Sequence, residues 1–249
     1  MYQVNAQDLV ATYQLALEND HILKQAYFKQ LSVSENKSQS IAQMLPTISA
    51  SANSSRDRIK NKKNNFQSAG EQYYWSNRFS INFSQPIFHW EHWIGLSQSD
   101  NRIAQVEAEY LSELQNLMVK TTEAYFNVLS QQDNLGFTLA EKKAIEGQLE
   151  QAKQRFDVGL LAITDVHEAQ AGFDQAKANK IDAENQLDDS KEALREIIGE
   201  NEVSLLALGN KVEYSPPVPN DIIEWSQIAE TNNLNILAAF NEAEVRRKE

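Results

Sequence analysis

Cysteine is absent from this 249-residue chain, and its absence excludes disulfides, thiolate chemistry and cysteine-liganded zinc. The chain also lacks any run of about 18 apolar residues, so the sequence predicts no transmembrane helix. A membrane-spanning β-strand is still possible, because it needs only about 10 alternating residues. Basic residues are few relative to acidic ones, 23 against 35. The resulting net charge of −12 argues against nucleic-acid binding, which needs clustered cations.

Motifs of catalysis and cofactor binding are missing as well. The sequence contains no glycine-rich phosphate loop and no nucleophile elbow. His89 and His92 flank Glu91 at a spacing that would place both rings on one helical face, as in a metal site. Pro86 is too close for a secure helix at this point, and no third ligand is evident. We therefore predict no enzyme activity, no cofactor and no metal.

The amino-terminal part of the chain changes from a helical to a strand period. Apolar residues at helical spacing predict a helix over residues 6–44, which Pro46 ends. Alternation with a period of two then predicts strands over 45–59 and 72–86, joined as a long hairpin by a polar, basic loop. One face of the second strand carries five apolar residues: Tyr73, Trp75, Phe79, Ile81 and Phe83. The opposite face is polar, and from this pattern alone the edge of a soluble sheet is an equally good interpretation.

Two long helices are predicted after the hairpin. Residues 91–156 contain no proline and keep a helical apolar period, which predicts one helix about 100 Å long at 1.5 Å per residue. A helix of that length must pack against equally long partners in a coiled-coil manner. A second helix is predicted over 165–198. Its apolar stripe includes Ala176, Ala183, Leu187, Leu194 and Ile197.

The two long helices are expected to form an antiparallel hairpin with its tip at residues 157–164. Gly159 suits the left-handed position that ends the first helix. Thr164 or Asp165 can cap the start of the second helix, and Glu168 lies three residues after Asp165, as in a capping box.

The end of the chain repeats its beginning. After a proline-containing linker over 200–220, four residues recur at an offset of 213: Asp8 and Asp221, Gln14 and Gln227, Ala16 and Ala229, Asn19 and Asn232. This agreement indicates a tandem duplication, with a first repeat over 1–220 and a truncated start of a second repeat over 221–249. Since lipid cannot satisfy the edges of a lone strand pair, we expect several copies to close into a barrel continued by a helical tube.

Three stretches resemble motifs of the TolC family of outer-membrane efflux proteins: residues 84–88 (SQPIF), 124–129 (AYFNVL) and 154–166 (QRFDVGLLAITDV). The resemblance implies a mainly α fold with a β-hairpin, in which very long antiparallel coiled-coil helices continue from two strands of a transmembrane β-barrel. This chain would be half of a protomer. The resemblance also implies a homotrimer in the outer membrane that extends into the periplasm and serves multidrug efflux and type I secretion. Such a duct conducts passively and is opened at its periplasmic tip by an adaptor and an inner-membrane pump.

Residue roles follow from the same resemblance. Gly159 and Leu160 resemble residues that contact the adaptor, whereas Gln148, Thr164 and Asp165 resemble residues whose polar links hold the tip shut. Thr164 and Asp165 are also plain helix caps, and Gln148 is also an ordinary surface residue. The apolar face of the second strand would contact outer-membrane lipid.

A soluble coiled-coil periplasmic adaptor or structural protein is the alternative interpretation. Adaptors also carry long helical hairpins. They usually flank the hairpin with a lipoyl-like half-motif and with β-barrel sequence rich in glycine and valine, and this chain has neither.

Overall fold

The computed structural model describes residues 7–61, 70–199, 204–207 and 215–248. Their helices and strands, in chain order, are α1 (Leu9–Asn19), α2 (His21–Ala42), β1 (Thr47–Asn61), β2 (Gly70–Ser84), α3 (Trp90–Asp157), α4 (Ile163–Ile198), α5 (Ile222–Asn232) and α6 (Leu234–Arg247). The two strands form one antiparallel pair. The predicted fold class, mainly helical with a β-hairpin and very long helices, is confirmed. No helix among these ranges combines the length and the apolar character needed to cross a membrane.

The chain divides into two compact units. A helical unit comprises Met1–Leu31 and Gln105–Phe240, and a hairpin unit comprises Ser32–Ala104 and Asn241–Glu249. The helix α3 has 68 residues, which corresponds to about 100 Å.

The core of the helical unit lies where α1 packs against α4, and Leu117 and Val128 of α3 belong to the same cluster. Thr12 and Ala16 of α1 are completely buried. The stripe predicted for α4 is buried as expected at Ala176, Ala183, Leu187, Leu194 and Ile197. The apolar pattern of α1 did not predict that Thr12 is buried. A threonine is buried only where other parts of the fold cover it, and the pattern of one helix does not show this.

A short bridge closes this core next to α1. Gln7 and Leu205 form a parallel bridge, and the Leu206 N–H donates to the Gln7 carbonyl oxygen at 2.9 Å. The buried Tyr125 hydroxyl donates to the Leu206 carbonyl oxygen at 2.7 Å. Burial, and after it the charge of Asp8, raises the pKa of Tyr125, so this hydroxyl remains a donor at neutral pH. The bridge therefore ties residues before α1 to residues after α4.

The predicted continuous helix over 6–44 is wrong, because the chain breaks at Asp20 between α1 and α2. Asp20 has an extended ψ of 125°, and its carboxylate accepts the Leu23 N–H at 2.7 Å, which caps the start of α2. This carboxylate is buried and lies 3.7 Å from Lys120 Nζ. The first helix begins at Leu9, with Asp8 as its cap, and residue 6 lies outside the described ranges.

The same break recurs near the end of the chain. Both α1 and α5 have 11 residues, and each follows a capping aspartate, Asp8 or Asp221. Asn233 separates α5 from α6, and its side-chain oxygen accepts the Ile236 N–H at 3.2 Å. This bond is the counterpart, 213 residues later, of the bond from Leu23 to Asp20. The boundary between repeats stays a prediction, and much of the predicted linker (200–203 and 208–214) lies outside the described ranges.

Both strands are displaced by two residues from their predicted ranges. β1 covers Thr47–Asn61 and β2 covers Gly70–Ser84, with Thr47 opposite Ser84 and Asn61 opposite Gly70. The paired strands stop short of Pro86, which has no N–H to donate to a ladder. Before β1, the Leu45 N–H donates to the Ala42 carbonyl oxygen at 3.1 Å, so this residue belongs to the turn after α2. The predicted basic loop falls mainly on 62–69, outside the described ranges.

Gly199 ends α4 in the left-handed conformation, with φ of 73°. A Cβ atom at this position would lie 3.1 Å from Asn19 Cβ. We expect Gly199→Ala to lower the free energy of unfolding by about 1–2 kcal/mol, because alanine is strained at this φ and meets Asn19 as well. Urea unfolding followed by circular dichroism of the detergent-solubilised chain measures this change.

Gly172→Ala is the matched control within α4. Gly172 has helical backbone, and a Cβ atom added there would meet only Ile145 Cγ2, at an ordinary 4.0 Å. Alanine should therefore leave stability unchanged or raise it by about 0.5–1 kcal/mol. Equal effects of the two substitutions would contradict the packing described for Gly199.

Candidate functional site

The hairpin unit presents one apolar face. Cross-strand pairing places Ile48 opposite Phe83, Ala50 opposite Ile81 and Ala52 opposite Phe79. Because side chains alternate between the faces of a strand, all of these lie on the same side as Tyr73 and Trp75. Their apolar side chains are exposed to solvent, and the exposed fractions of Phe79 and Ile81 are 79% and 80%. The structure thus brings the five predicted strand residues together on one exposed face.

The hairpin also contains polar contacts between its two strands. On the opposite face, the Ser51 and Ser80 hydroxyls lie 2.7 Å apart. On the apolar face, Ser54 and Asn77 form a polar pair in the middle of the hairpin. The Ser54 hydroxyl donates a hydrogen bond to Asn77 Oδ1 at 2.8 Å. A contiguous exposed apolar surface of this kind marks a contact surface for lipid or protein. Its contact with lipid stays a prediction.

The outer edges of the hairpin are the second feature of this site. Within the described chain β1 pairs only with β2, so the outward N–H and C=O groups of both strands have no strand beside them. Edges of this length are templates for pairing with further strands. The hairpin can therefore join a larger sheet on both sides.

The junction between β2 and α3 contains the two histidines singled out from the sequence. Their rings stack at a centroid distance of 4.9 Å, and His89 Nδ1 lies 3.5 Å from Glu91 Oε1. The helix predicted over 91–156 begins at Trp90, so His92 lies in its first turn and His89 lies just before it. Across the described ranges, no group of three histidine, aspartate or glutamate side chains is placed to hold a metal ion.

The helical unit carries the tip between α3 and α4. The Gly159 N–H donates to the Phe156 carbonyl oxygen and the Leu160 N–H donates to the Arg155 carbonyl oxygen, both at 2.8 Å. These two bonds form a Schellman motif, which requires the positive φ of 78° found at Gly159. The left-handed C-cap predicted there is present. Leu160 projects from the motif and is 77% exposed.

The start of α4 differs from the prediction. Ala162 is the N-cap, with an extended backbone, and neither Thr164 nor Asp165 caps the helix. Asp165 is instead the third helical residue, and its Oδ2 accepts the Ala162 N–H at 3.2 Å. Alanine has no side-chain acceptor, so Asp165 supplies half of a capping box alone. The predicted box with Glu168 is wrong, because the turn after Gly159 is short and α4 starts earlier than expected.

The three residues predicted to link the tip are all exposed. Gln148 lies on α3, whereas Thr164 and Asp165 lie in the first turn of α4. In the part of the chain that the structure describes, no hydrogen bond joins Gln148 to Thr164 or Asp165. Their side chains are therefore accessible to a further repeat or another chain, and their roles stay predictions.

Comparisons with known proteins agree with this architecture. Residues 12–200 match the family described as outer membrane efflux protein. Outer membrane protein TolC of Vibrio cholerae is 37% identical over 244 residues, which cover 97% of this chain and 53% of that protein. Alkaline protease secretion protein AprF of Pseudomonas aeruginosa is 26% identical over 248 residues, which cover 97% of this chain and 51% of that protein. The chain thus spans about half the length of these two curated relatives.

Solved structures share the fold. The Campylobacter jejuni CmeC outer membrane channel superposes with a TM-score of 0.78 at 16% identity, covering 96% of this chain and 51% of that channel. CusC superposes with a TM-score of 0.73 at 14% identity, covering 100% of this chain and 58% of that chain. At such identities the likeness establishes the architecture alone.

Asp165→Ala should loosen the first turn of α4. The substitution removes the acceptor of the Ala162 N–H, so we expect roughly two- to fivefold faster amide exchange there, as for loss of a cap worth about 0.5–1 kcal/mol. Hydrogen exchange with mass spectrometry of peptides covering the tip measures it. Glu168→Ala is the control and should leave the exchange unchanged. Equal exchange in the two variants would contradict the capping bond.

Proposed function

We propose that this chain, which belongs to the outer membrane efflux protein family, forms about half of a subunit in an export duct of the outer membrane. The chain contributes the first structural repeat and the start of the second. Three complete subunits build the duct, which crosses the outer membrane and extends into the periplasm. It conducts drugs and secreted proteins passively, and an inner-membrane pump reached through a periplasmic adaptor supplies the energy.

The observation that carries this proposal is the apolar face of a hairpin with two unpaired edges. Phe79, Ile81 and Phe83 are exposed to a degree that is unfavourable in water. A lone two-stranded hairpin is also unstable in lipid, because its outer edges leave backbone groups without partners. Strands from several repeats that close into one sheet would pair every edge and turn each apolar face towards lipid.

The relatives support the same location and activity. Their names describe an outer membrane protein, a protease secretion protein and an outer membrane channel. These are transport proteins rather than enzymes, and they support the outer membrane as the place of this chain. The alternative of a soluble periplasmic adaptor has no support among them.

The start of the second repeat supports the duplication. Helix α5 shares its length and its capping aspartate with α1. In α1, Ala16 is buried against α4, whereas its counterpart in α5, Ala229, is exposed together with Ile222 and Trp225. We infer that a second helical hairpin covers α5 in the complete subunit, as α4 covers α1.

The tip is the proposed gate and docking site. Gly159 and Leu160 would contact the adaptor, because the Schellman turn holds Leu160 outward. Gln148, Thr164 and Asp165 would form polar links to the other repeat that hold the tip shut. A link from Asp165 to a basic side chain of the other repeat would be an exposed charge pair, which contributes about 1 kcal/mol or less. Three sets of links, one from each subunit, could bias the duct towards the closed state and still be broken by a docked adaptor.

Phe79→Arg tests the lipid-facing assignment. An arginine on the lipid-facing side of a strand costs about 2–4 kcal/mol near the middle of a bilayer, so we expect partition into phosphatidylcholine vesicles to fall roughly 30-fold or more. Flotation of vesicles mixed with detergent-diluted complete subunits measures the bound fraction. Ser80→Arg adds the same charge on the opposite face and should leave binding nearly unchanged. If both variants bind as the wild type does, this face does not contact lipid.

Two tip substitutions in complete subunits separate docking from gating. Leu160→Asp should lower drug resistance of cells without changing the conductance of the closed duct in a planar bilayer, because it alters only the docking surface. Asp165→Ala should raise that conductance several-fold, because one link per subunit is lost. Leu160 is a better probe than Gly159, where any side chain is strained by the positive φ. Unchanged resistance in the first variant or unchanged conductance in the second would refute the corresponding role.

A further inference from the structure

The apolar face of the hairpin ends in a cluster of cations. Continuing the cross-strand register towards the loop, Arg56 lies opposite Trp75, Arg58 opposite Tyr73 and Lys60 opposite Glu71. Even-numbered residues of β1 share one face, so these three basic side chains lie on the same side as the apolar residues between Ile48 and Ala52. We call Arg56, Arg58 and Lys60 the cation cluster.

The cation cluster carries an excess of positive charge. Within the described parts of the two strands, Glu71 is the one carboxylate beside it on this face: its Oε1 lies 3.3 Å from Arg58 Nη2 and 3.5 Å from Lys60 Nζ. Asp57 points to the other face, where it accepts the Ser55 hydroxyl at 3.1 Å. Three cations against one carboxylate leave two positive charges in excess, in a chain whose net charge is −12.

Two aromatic rings contact Arg56, one member of the cluster. The Arg56 guanidinium carbon lies 5.4 Å from the centre of the Tyr73 ring and 5.9 Å from the centre of the Trp75 ring. Such cation–π contacts orient a guanidinium without neutralising its charge. Side chains of Arg58 and Lys60 are 53% and 70% exposed, so the cluster is accessible.

We infer that the cation cluster binds the phosphate groups of anionic membrane lipids. Arg56 lies eight positions after Ile48, about 26 Å along a strand, which matches the height of about 25 Å expected for a lipid-facing apolar band bordered by aromatic residues. Cations placed there meet the headgroup level, where arginine can bind phosphate through two parallel hydrogen bonds. This inference rests on the proposed function, because only a membrane-embedded hairpin presents its apolar face and its cation cluster to the same bilayer.

The test compares vesicles of phosphatidylcholine alone with vesicles in which part of this lipid is replaced by phosphatidylglycerol. The complete subunit that contains the wild-type chain should bind the anionic vesicles more tightly, and added salt should weaken this preference. In the double variant Arg56→Gln/Arg58→Gln the preference should fall roughly 30-fold, since two cations near an anionic surface are lost. Arg78→Gln, which removes a cation from the opposite face of β2, should keep the preference. Unchanged binding of the double variant to phosphatidylcholine shows that its hairpin is intact.

The outcomes separate this inference from the function on which it rests. If the double variant retains the preference, or if Arg78→Gln loses it equally, the cation cluster does not bind lipid phosphate, although binding to neutral vesicles would still support the duct. If inorganic phosphate at constant ionic strength abolishes the preference, the site binds soluble anions, and the lipid assignment is overturned. If Phe79→Arg leaves binding to neutral vesicles intact, the lipid-facing assignment fails, and the lipid-binding inference that rests on it fails as well.

Discussion

Backbone hydrogen bonding along the outer edges of β1 and β2 is the constraint on which the rest of this protein depends. Each strand has 15 residues, and within the described chain each pairs on one side only. The side-chain pattern makes this constraint stronger, because one face of the ribbon is apolar and exposed. Neither water nor lipid satisfies both the edges and the face. A closed sheet of several hairpins would satisfy both, and we propose that this hairpin joins such a sheet.

The helices also need partners, because the buried face of each one must be covered by another helix. The small side chain of Ala16 in α1 is completely buried in one cluster with Leu194, Ile197 and Ile198 at the end of α4. α5 repeats the local design of α1, with the same length and equivalent caps, yet none of its residues is buried. Local sequence is thus sufficient to start and end a helix of this kind, whereas its burial depends on a second long helix beside it.

Two glycines show how one backbone conformation serves different purposes. Gly159 and Gly199 both have positive φ and both end a long helix. Around Gly159 the space for a Cβ atom is open, whereas at Gly199 it is taken by Asn19. The first glycine shapes an exposed turn that is available to a partner. The second lets the end of α4 approach the end of α1 within the core of the helical unit.

Local patterns were enough to predict the helical and strand segments, the left-handed turn at Gly159 and the single apolar face of the hairpin. These features depend on the spacing of apolar residues and on backbone sterics, both of which involve residues close together in the chain. They did not predict the break at Asp20 or the burial of Thr12, which depend on which groups meet in space. They also missed the cap at Ala162, where the bond to Asp165 is local but the start of the helix was placed too late. The strand ends were misplaced by two residues, because pairing with the partner strand determines where a ladder stops. The cation cluster on the apolar face likewise emerges only from the register of the two strands, which places Arg56 beside Tyr73 and Trp75.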